Sequence, residues 1–158
     1  MNEKIKKSLD DLFTAMKTLR EEGMLINKKD FTGQLGEWFV EMIYEGKRAL
    51  SGIQKDWDVD VNGRHIQVKA HAKAESTTAK WSSINKNPSE KVDELIILVF
   101  SFDYKLKEFY KIPWREASLL IKLRGKKSPR YEINWSSIKN YKIQIANLPH
   151  QGIVSLFT

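Results

Sequence analysis

Asp58, Gln67 and Lys69 put a carboxylate, an amide oxygen and an ammonium within one short stretch of chain. They fall in Trp57-Asp-Val-Asp-Val-Asn-Gly-Arg-His-Ile-Gln-Val-Lys69, two alternating runs around Asn62-Gly63. Asn-Gly between such runs predicts a β-hairpin with a two-residue type I′ turn. That turn sets Val61 against Arg64, Asp60 against His65, Val59 against Ile66, Asp58 against Gln67, Trp57 against Val68 and Asp56 against Lys69. Opposed residues share a sheet face, and neighbours along a strand take opposite faces. Trp57, Val59, Val61, Ile66 and Val68 are therefore expected on one face with Arg64, and Asp56, Asp58, Asp60, His65, Gln67 and Lys69 on the other. Two readings of the polar face stand open. One is a solvated face with mildly favourable Asp56–Lys69 and Asp60–His65 pairs. The other is a site for a divalent cation and a phosphodiester. Mg²⁺ takes carboxylates and other oxygens, and an adjacent lysine orients water and offsets charge developing at phosphorus.

The elements that must position these residues follow from periodicity. Ile5, Leu9, Leu12, Phe13, Met16 and Leu19 form one apolar stripe of a helix over residues 3–22, with Gly23 as its C-terminal stop. The stripe is expected to pack on the domain, with a dimer contact as the minority reading. Asp30 or Thr32 can cap a second helix running to about Lys47, with Leu35, Trp38, Phe39, Met42 and Ile43 facing the core. Gly36 costs that helix about 1 kcal/mol against alanine, so it implies close approach by another backbone. Glu37, Glu41 and Glu45 are spaced one turn apart: either a solvated row, or Glu37 looks across at the Asp58–Lys69 face. Leu50–Lys55 is a connector.

After Lys69 comes a polar, hydroxyl-rich stretch to Pro88 that carries His71, Lys73, Lys80 and Trp81. It is either an ordinary exposed loop or a substrate-facing one, in which lysines and hydroxyls touch phosphates and Trp81 stacks on a base. His65 and His71 read most simply as surface histidines. Asp93–Ser101 is short, apolar and β-branched, as expected of a central strand buried on both faces. Lys105–Ile112 alternates as its partner strand, and a helix follows from Pro113 to Lys122. Leu123–Arg130 is a basic turn. Short strands are expected at Tyr131–Trp135 and Tyr141–Ile145, with a helical turn at Ser136–Ile138 between them. The tail from Pro149 docks on the domain. Trp38, Trp114, Trp135 and His150 read as packing residues.

The chain has 158 residues with 41 % hydrophobic content, enough for a single domain spanning 1–158 with a real core. It lacks cysteine, which excludes disulfides and thiolate chemistry, and its three histidines lack metal-ligand spacing. Net charge is +7 and the pI about 9.5, a tilt towards a polyanionic partner. No signal-like or membrane-spanning run is present, so a soluble cytoplasmic protein is expected.

Taken together, Gly36-Glu37 on a helix, the hairpin with Asp58, Gln67 and Lys69, a buried strand and a following helix resemble the PD-(D/E)XK nuclease superfamily. The resemblance covers residues 33–70, with weaker topological agreement to about residue 122. It implies an α/β fold with a restriction-endonuclease-like αβββαβ core: a mixed central sheet flanked by helices, here with an extra N-terminal helix. It implies that Asp58 is the metal-binding aspartate, Lys69 the catalytic lysine and Glu37 the helix glutamate. Gln67 stands where the family usually has an acid, a variant similar to Mrr-like nucleases, and Trp57 replaces the family's proline. Asp60 is the fallback for the aspartate. The implied activity is Mg²⁺-dependent DNA hydrolysis (Mn²⁺ substituting), in restriction or phage defence, by a protein that pairs to cut both strands. RNA as substrate stays open. The competing reading is a non-catalytic nucleic-acid-binding module on the same fold.

Overall fold

A computed structural model describes residues 2–27, 30–49, 56–84 and 91–158. The expected connector at 50–55 and the end of the polar stretch, 85–90, lie outside the described residues. The fold is mixed α/β. Two helices, α1 (Glu3–Glu21) and α2 (Phe31–Tyr44), lead into strands β1 (Lys47–Arg48), β2 (Val59–Val61), β3 (Arg64–Ala72) and β4 (Trp81–Ile84). Then come β5 (Glu94–Phe100), β6 (Leu106–Pro113), α3 (Trp114–Leu120), β7 (Lys122–Arg124), β8 (Arg130–Asn134), a 3₁₀ segment (Trp135–Tyr141), β9 (Lys142–Ile143) and a C-terminal turn, α4 (Gln151–Val154). The central sheet runs β1-β2-β3-β5-β6-β9 and is mixed: β3 and β5 are parallel, the other pairs antiparallel. A second, three-stranded sheet runs β4-β8-β7.

β5 is the centre. Leu95 to Phe100 are fully buried. Ile96, Leu98 and Phe100 point into the core beneath α2, and Leu95, Ile97 and Val99 into the core beneath the second sheet and α3. A strand covered on both faces has no reason to alternate, which is why its sequence does not. β3 lies beside it in register, Gln67 against Leu95 and Lys69 against Ile97. Ile66, Val68 and Ala70 therefore face α2, and Gln67, Lys69 and His71 face the other layer.

α2 sits tight against β3. A Cβ on Gly36 would lie 2.4 Å from the Ala70 Cβ, so glycine is what lets the two backbones meet. Asp30 caps the helix through the Gly33 N–H, and Leu35, Phe39, Val40 and Ile43 fill the core. The helix stops at Tyr44, short of the expected Lys47, because the chain turns through Glu45 in the left-handed region and Lys47–Arg48 join the sheet. Met42, expected in the core, is exposed. Glu41 is not a solvated acid: its carboxylate accepts from the Arg48 guanidinium at 2.6 Å, and Arg48 also donates to the carbonyls of Gly23 and Met24.

α1 departs from expectation. None of its residues is buried, and Ile5, Leu9, Leu12 and Phe13 are all exposed. Only Leu19 packs on the core. Leu12, Phe13 and Met16 line an open hollow with Phe31 and Tyr104 instead of filling the core. Ile153, Val154 and Phe157 of the C-terminal tail dock on the same core, with the Phe157 ring 5.4 Å from that of Phe39. Phe13→Ser is thus expected to change the free energy of unfolding by less than about 0.5 kcal/mol, whereas Leu35→Ala is expected to cost about 2–5 kcal/mol. Urea denaturation of the two variants checks this.

Candidate functional site

The hairpin forms with the turn its sequence demands. Asn62 and Gly63 both have positive φ, 54° and 82°, and Val59–Ile66, Asp60–His65 and Val61–Arg64 pair as predicted. Asp60 is consumed locally, with Oδ1 accepting from the Gly63 N–H and Oδ2 lying 3.4 Å from His65 Nε2. That leaves Asp58, not its fallback, as the carboxylate with a view of the second strand.

Beyond Val59 the predicted register fails. The Asp58 N–H donates to the Ile66 carbonyl, the residue already opposite Val59. Two residues of the first strand thus oppose one of the second, a β-bulge. The extra residue reverses the facing of everything upstream. Trp57, expected beside Val59, instead stacks on His65 with ring centroids 4.5 Å apart and joins the core under the second sheet. The expected opposition of Asp58 to Gln67 and of Asp56 to Lys69 is lost with the same slip. In its place the Asp58 carboxylate turns onto the edge of β3 and accepts the Val68 N–H at 2.8 Å. β2 pairs with β3 only over Arg64–Ile66, so the β3 edge from Val68 onward has no strand beside it among the described residues.

Gln67 is buried, and its Oε1 has no hydrogen-bond partner among the described residues; its Nε2 reaches the Asp56 carbonyl only at 3.4 Å. A buried amide oxygen without a donor costs about 1–3 kcal/mol, so it marks a place where a donor or cation is wanted. Glu37 is buried on α2, which covers the face of β3 opposite Gln67 and Lys69. Glu37 and Asp58 are the two carboxylates that a cation bound by Gln67 would call on. No group of three or more His, Asp and Glu side chains suited to a metal lies among the described residues. A cation site here therefore needs the Gln67 oxygen besides the two carboxylates, an all-oxygen donor set that fits Mg²⁺ or Mn²⁺.

Further along the same face, His71, Lys73 and Trp81 come together, as the sequence grouped them. His71 does so from strand β3, which continues to Ala72, and Trp81 from the start of β4, with Lys73 in the loop that joins them. His71 is not a surface histidine. Its Nε2 lies 2.8 Å from Ser82 Oγ, and that buried hydroxyl also accepts the Trp135 indole N–H at 2.9 Å. Burial first, then the charges of Lys73 and Lys69, hold the imidazole down to about 4, weakly opposed by Asp30. Lys73 Nζ sits 5.1 Å and 5.0 Å from the rings of Trp81 and Trp135 and donates to the Trp81 carbonyl. Burial lowers its pKa. Arg130 covers Trp81 from β8 at 4.3 Å. The exposed Lys80 lines a separate hollow with Lys107, Glu108 and Trp135. Ser82 and Arg130 carried no local signal, since both gain their roles through contacts about fifty residues apart in the chain.

The His71 environment predicts a pH effect. Folding lowers the proton affinity of the imidazole, so the unfolded chain takes up the proton first as pH falls. The contribution is complete above pH 6.5 and is lost between 6.5 and about 4, amounting to roughly 3 kcal/mol. Urea midpoints measured across that window should fall for the wild type, and His71→Gln should remove this part of the slope.

No protein-family model matches this chain, and no curated protein matches it. No helix among the described residues is long and apolar enough to cross a membrane.

Proposed function

We propose that the protein is a metal-dependent DNA endonuclease of PD-(D/E)XK type, with the site at the open edge of β3. The observation that carries the reading is the buried Gln67 Oε1, without a partner among the described residues, on the same strand face as Lys69, with the Asp58 carboxylate turned by a bulge onto that strand's edge. The topology supports it: a helix, a hairpin, a buried strand parallel to the hairpin's second strand and, after one further antiparallel strand, a helix follow in that order.

Asp58, Glu37 and the Gln67 oxygen, with a backbone carbonyl near Val68, would hold the cation. Mg²⁺, or Mn²⁺ in its place, supplies charge neutralisation at the phosphate and a bound water of lowered pKa. The Lys69 ammonium orients the attacking water and stabilises the charge that accumulates on the phosphate oxygens. Lys73 and Lys80 add positive charge along the approach. Trp81 holds two cations in place through its ring. His71, neutral at pH 7, positions Ser82 and Trp135 and adds no charge to a phosphate contact. Cutting both strands of a duplex calls for two copies, and we extend the reading to a cytoplasmic enzyme of restriction or phage defence that pairs on its substrate. RNA is the alternative substrate.

The second reading, a nucleic-acid-binding module without catalysis, is favoured by one observation: the acid usual at position 67 is an amide. Incubating the protein with plasmid and single-stranded DNA in Mg²⁺, Mn²⁺ or EDTA separates the two. Metal-dependent cutting is expected. Salt-sensitive binding without cutting would establish the module instead.

A further inference from the structure

The most basic stretch of the chain takes no part in that site. Between Lys122 and Arg130 lie Lys122, Arg124, Lys126, Lys127 and Arg130, with no acidic residue among them. The structure makes this stretch a β-hairpin, β7 and β8, whose turn closes so tightly at Gly125 (φ 86°) that a Cβ there would meet the Ser128 carbonyl at 2.6 Å. All three β7 residues are exposed. Leu123 and Tyr131 share one face with Ile133, which is buried in the core. Lys122, Arg124 and Arg130 share the outward face with Glu132, Asn134 and Trp81.

On that outward face Arg124 stands directly opposite Arg130. Like charges in that position destabilise a strand pair. Arg130 is partly satisfied by Glu132 at 3.2 Å and by the Trp81 ring. Lys122, which stands opposite Glu132, and Arg124 line an open hollow of about 210 Å³ with Glu132, Asn134, Ser136 and Ser137. Folding does not explain an arginine pair and two exposed turn lysines held together beside a single carboxylate, Glu132; a polyanion would.

We propose that the β7–β8 ribbon is a duplex-binding arm that contacts the phosphate backbone of double-stranded nucleic acid. This rests on the nuclease reading for its partner class. β8 is paired with β4 along Tyr131–Asn134, so the hairpin presents its exposed turn, residues 125–129, and the exposed edge strand β7. The cations on these reach the phosphates of a duplex. The arm grips the duplex through its backbone, and the β3 edge carries out the reaction.

The test is duplex and single-strand binding by the full chain, followed by fluorescence anisotropy over a salt series. Wild type is compared with Arg124→Ala/Lys126→Ala/Lys127→Ala, which leaves Arg130 on its tryptophan. Loss of three phosphate contacts should reduce the slope of log K against log salt by about 2.7 and weaken duplex binding on the order of 10²-fold at about 0.1 M salt. The melting midpoint should not fall, and the cleavage rate at saturating DNA should not change. A variant that binds duplex with the wild-type affinity and slope, while the wild type cuts DNA, overturns the arm and leaves the nuclease standing. A loss confined to single strands also overturns it. A wild type that neither binds nor cuts removes both.

Discussion

Lys69→Ala is expected to reduce metal-dependent DNA cleavage by roughly 10²–10³-fold, the usual effect of removing one positioned electrostatic group from a charged transition state. The loss should fall on kcat, with binding nearly unchanged, because one ammonium adds little to the ground-state affinity of a protein of net charge +7. Asp58 needs a gentler substitution. Its carboxylate also accepts the Val68 N–H, so Asp58→Ala would remove a backbone partner as well as a cation ligand. Asp58→Asn keeps an acceptor and removes the charge. Cleavage should be lost in Asp58→Asn while the urea midpoint stays within the error of the wild type. Cleavage by Lys69→Ala at the wild-type rate would refute the assignment of the site.

The largest effect on stability is expected at Glu41→Ala, about 3–5 kcal/mol by urea denaturation. The Arg48 side chain is 6 % exposed and holds the loop after α1 through the Gly23 and Met24 carbonyls. Without Glu41 its charge stays buried with only neutral acceptors. Arg48→Met/Glu41→Leu, which removes both charges, should recover much of the loss, since a buried pair replaced by apolar side chains costs far less than a broken one. A double mutant as unstable as Glu41→Ala would show that the two residues do not act as a pair.

Much of the fold was legible because local rules and packing agreed. Asn62-Gly63 can only make one kind of tight turn, so three hairpin pairs followed from it. The apolar run from Leu95 to Phe100 could only be a doubly covered strand. Gly36, a poor helix residue, announced a close contact and found it at Ala70. For the candidate site, the residue types were legible and their placement was only partly so. Alternation cannot reveal a bulge, because the extra residue is identified only by which carbonyl its N–H finds. Asp58 and Trp57 consequently changed their facing together.

The amphipathic stripe of α1 is equally convincing whether or not the core covers it, and here Ile5, Leu9, Leu12 and Phe13 stay exposed. Sequence by itself determined the local conformations here, the buried strand, and the gathering of carboxylate, amide and ammonium on one hairpin. These depend on steric and hydrophobic rules acting over a few residues. Tertiary structure decided which face each group turns to, that Glu37 sits on the helix covering β3, that His71 is held neutral by burial and its lysine neighbours, and that the basic segment is a hairpin. Those outcomes rest on hydrogen bonds and charge interactions between distant segments, whose energies exist only once the segments have met.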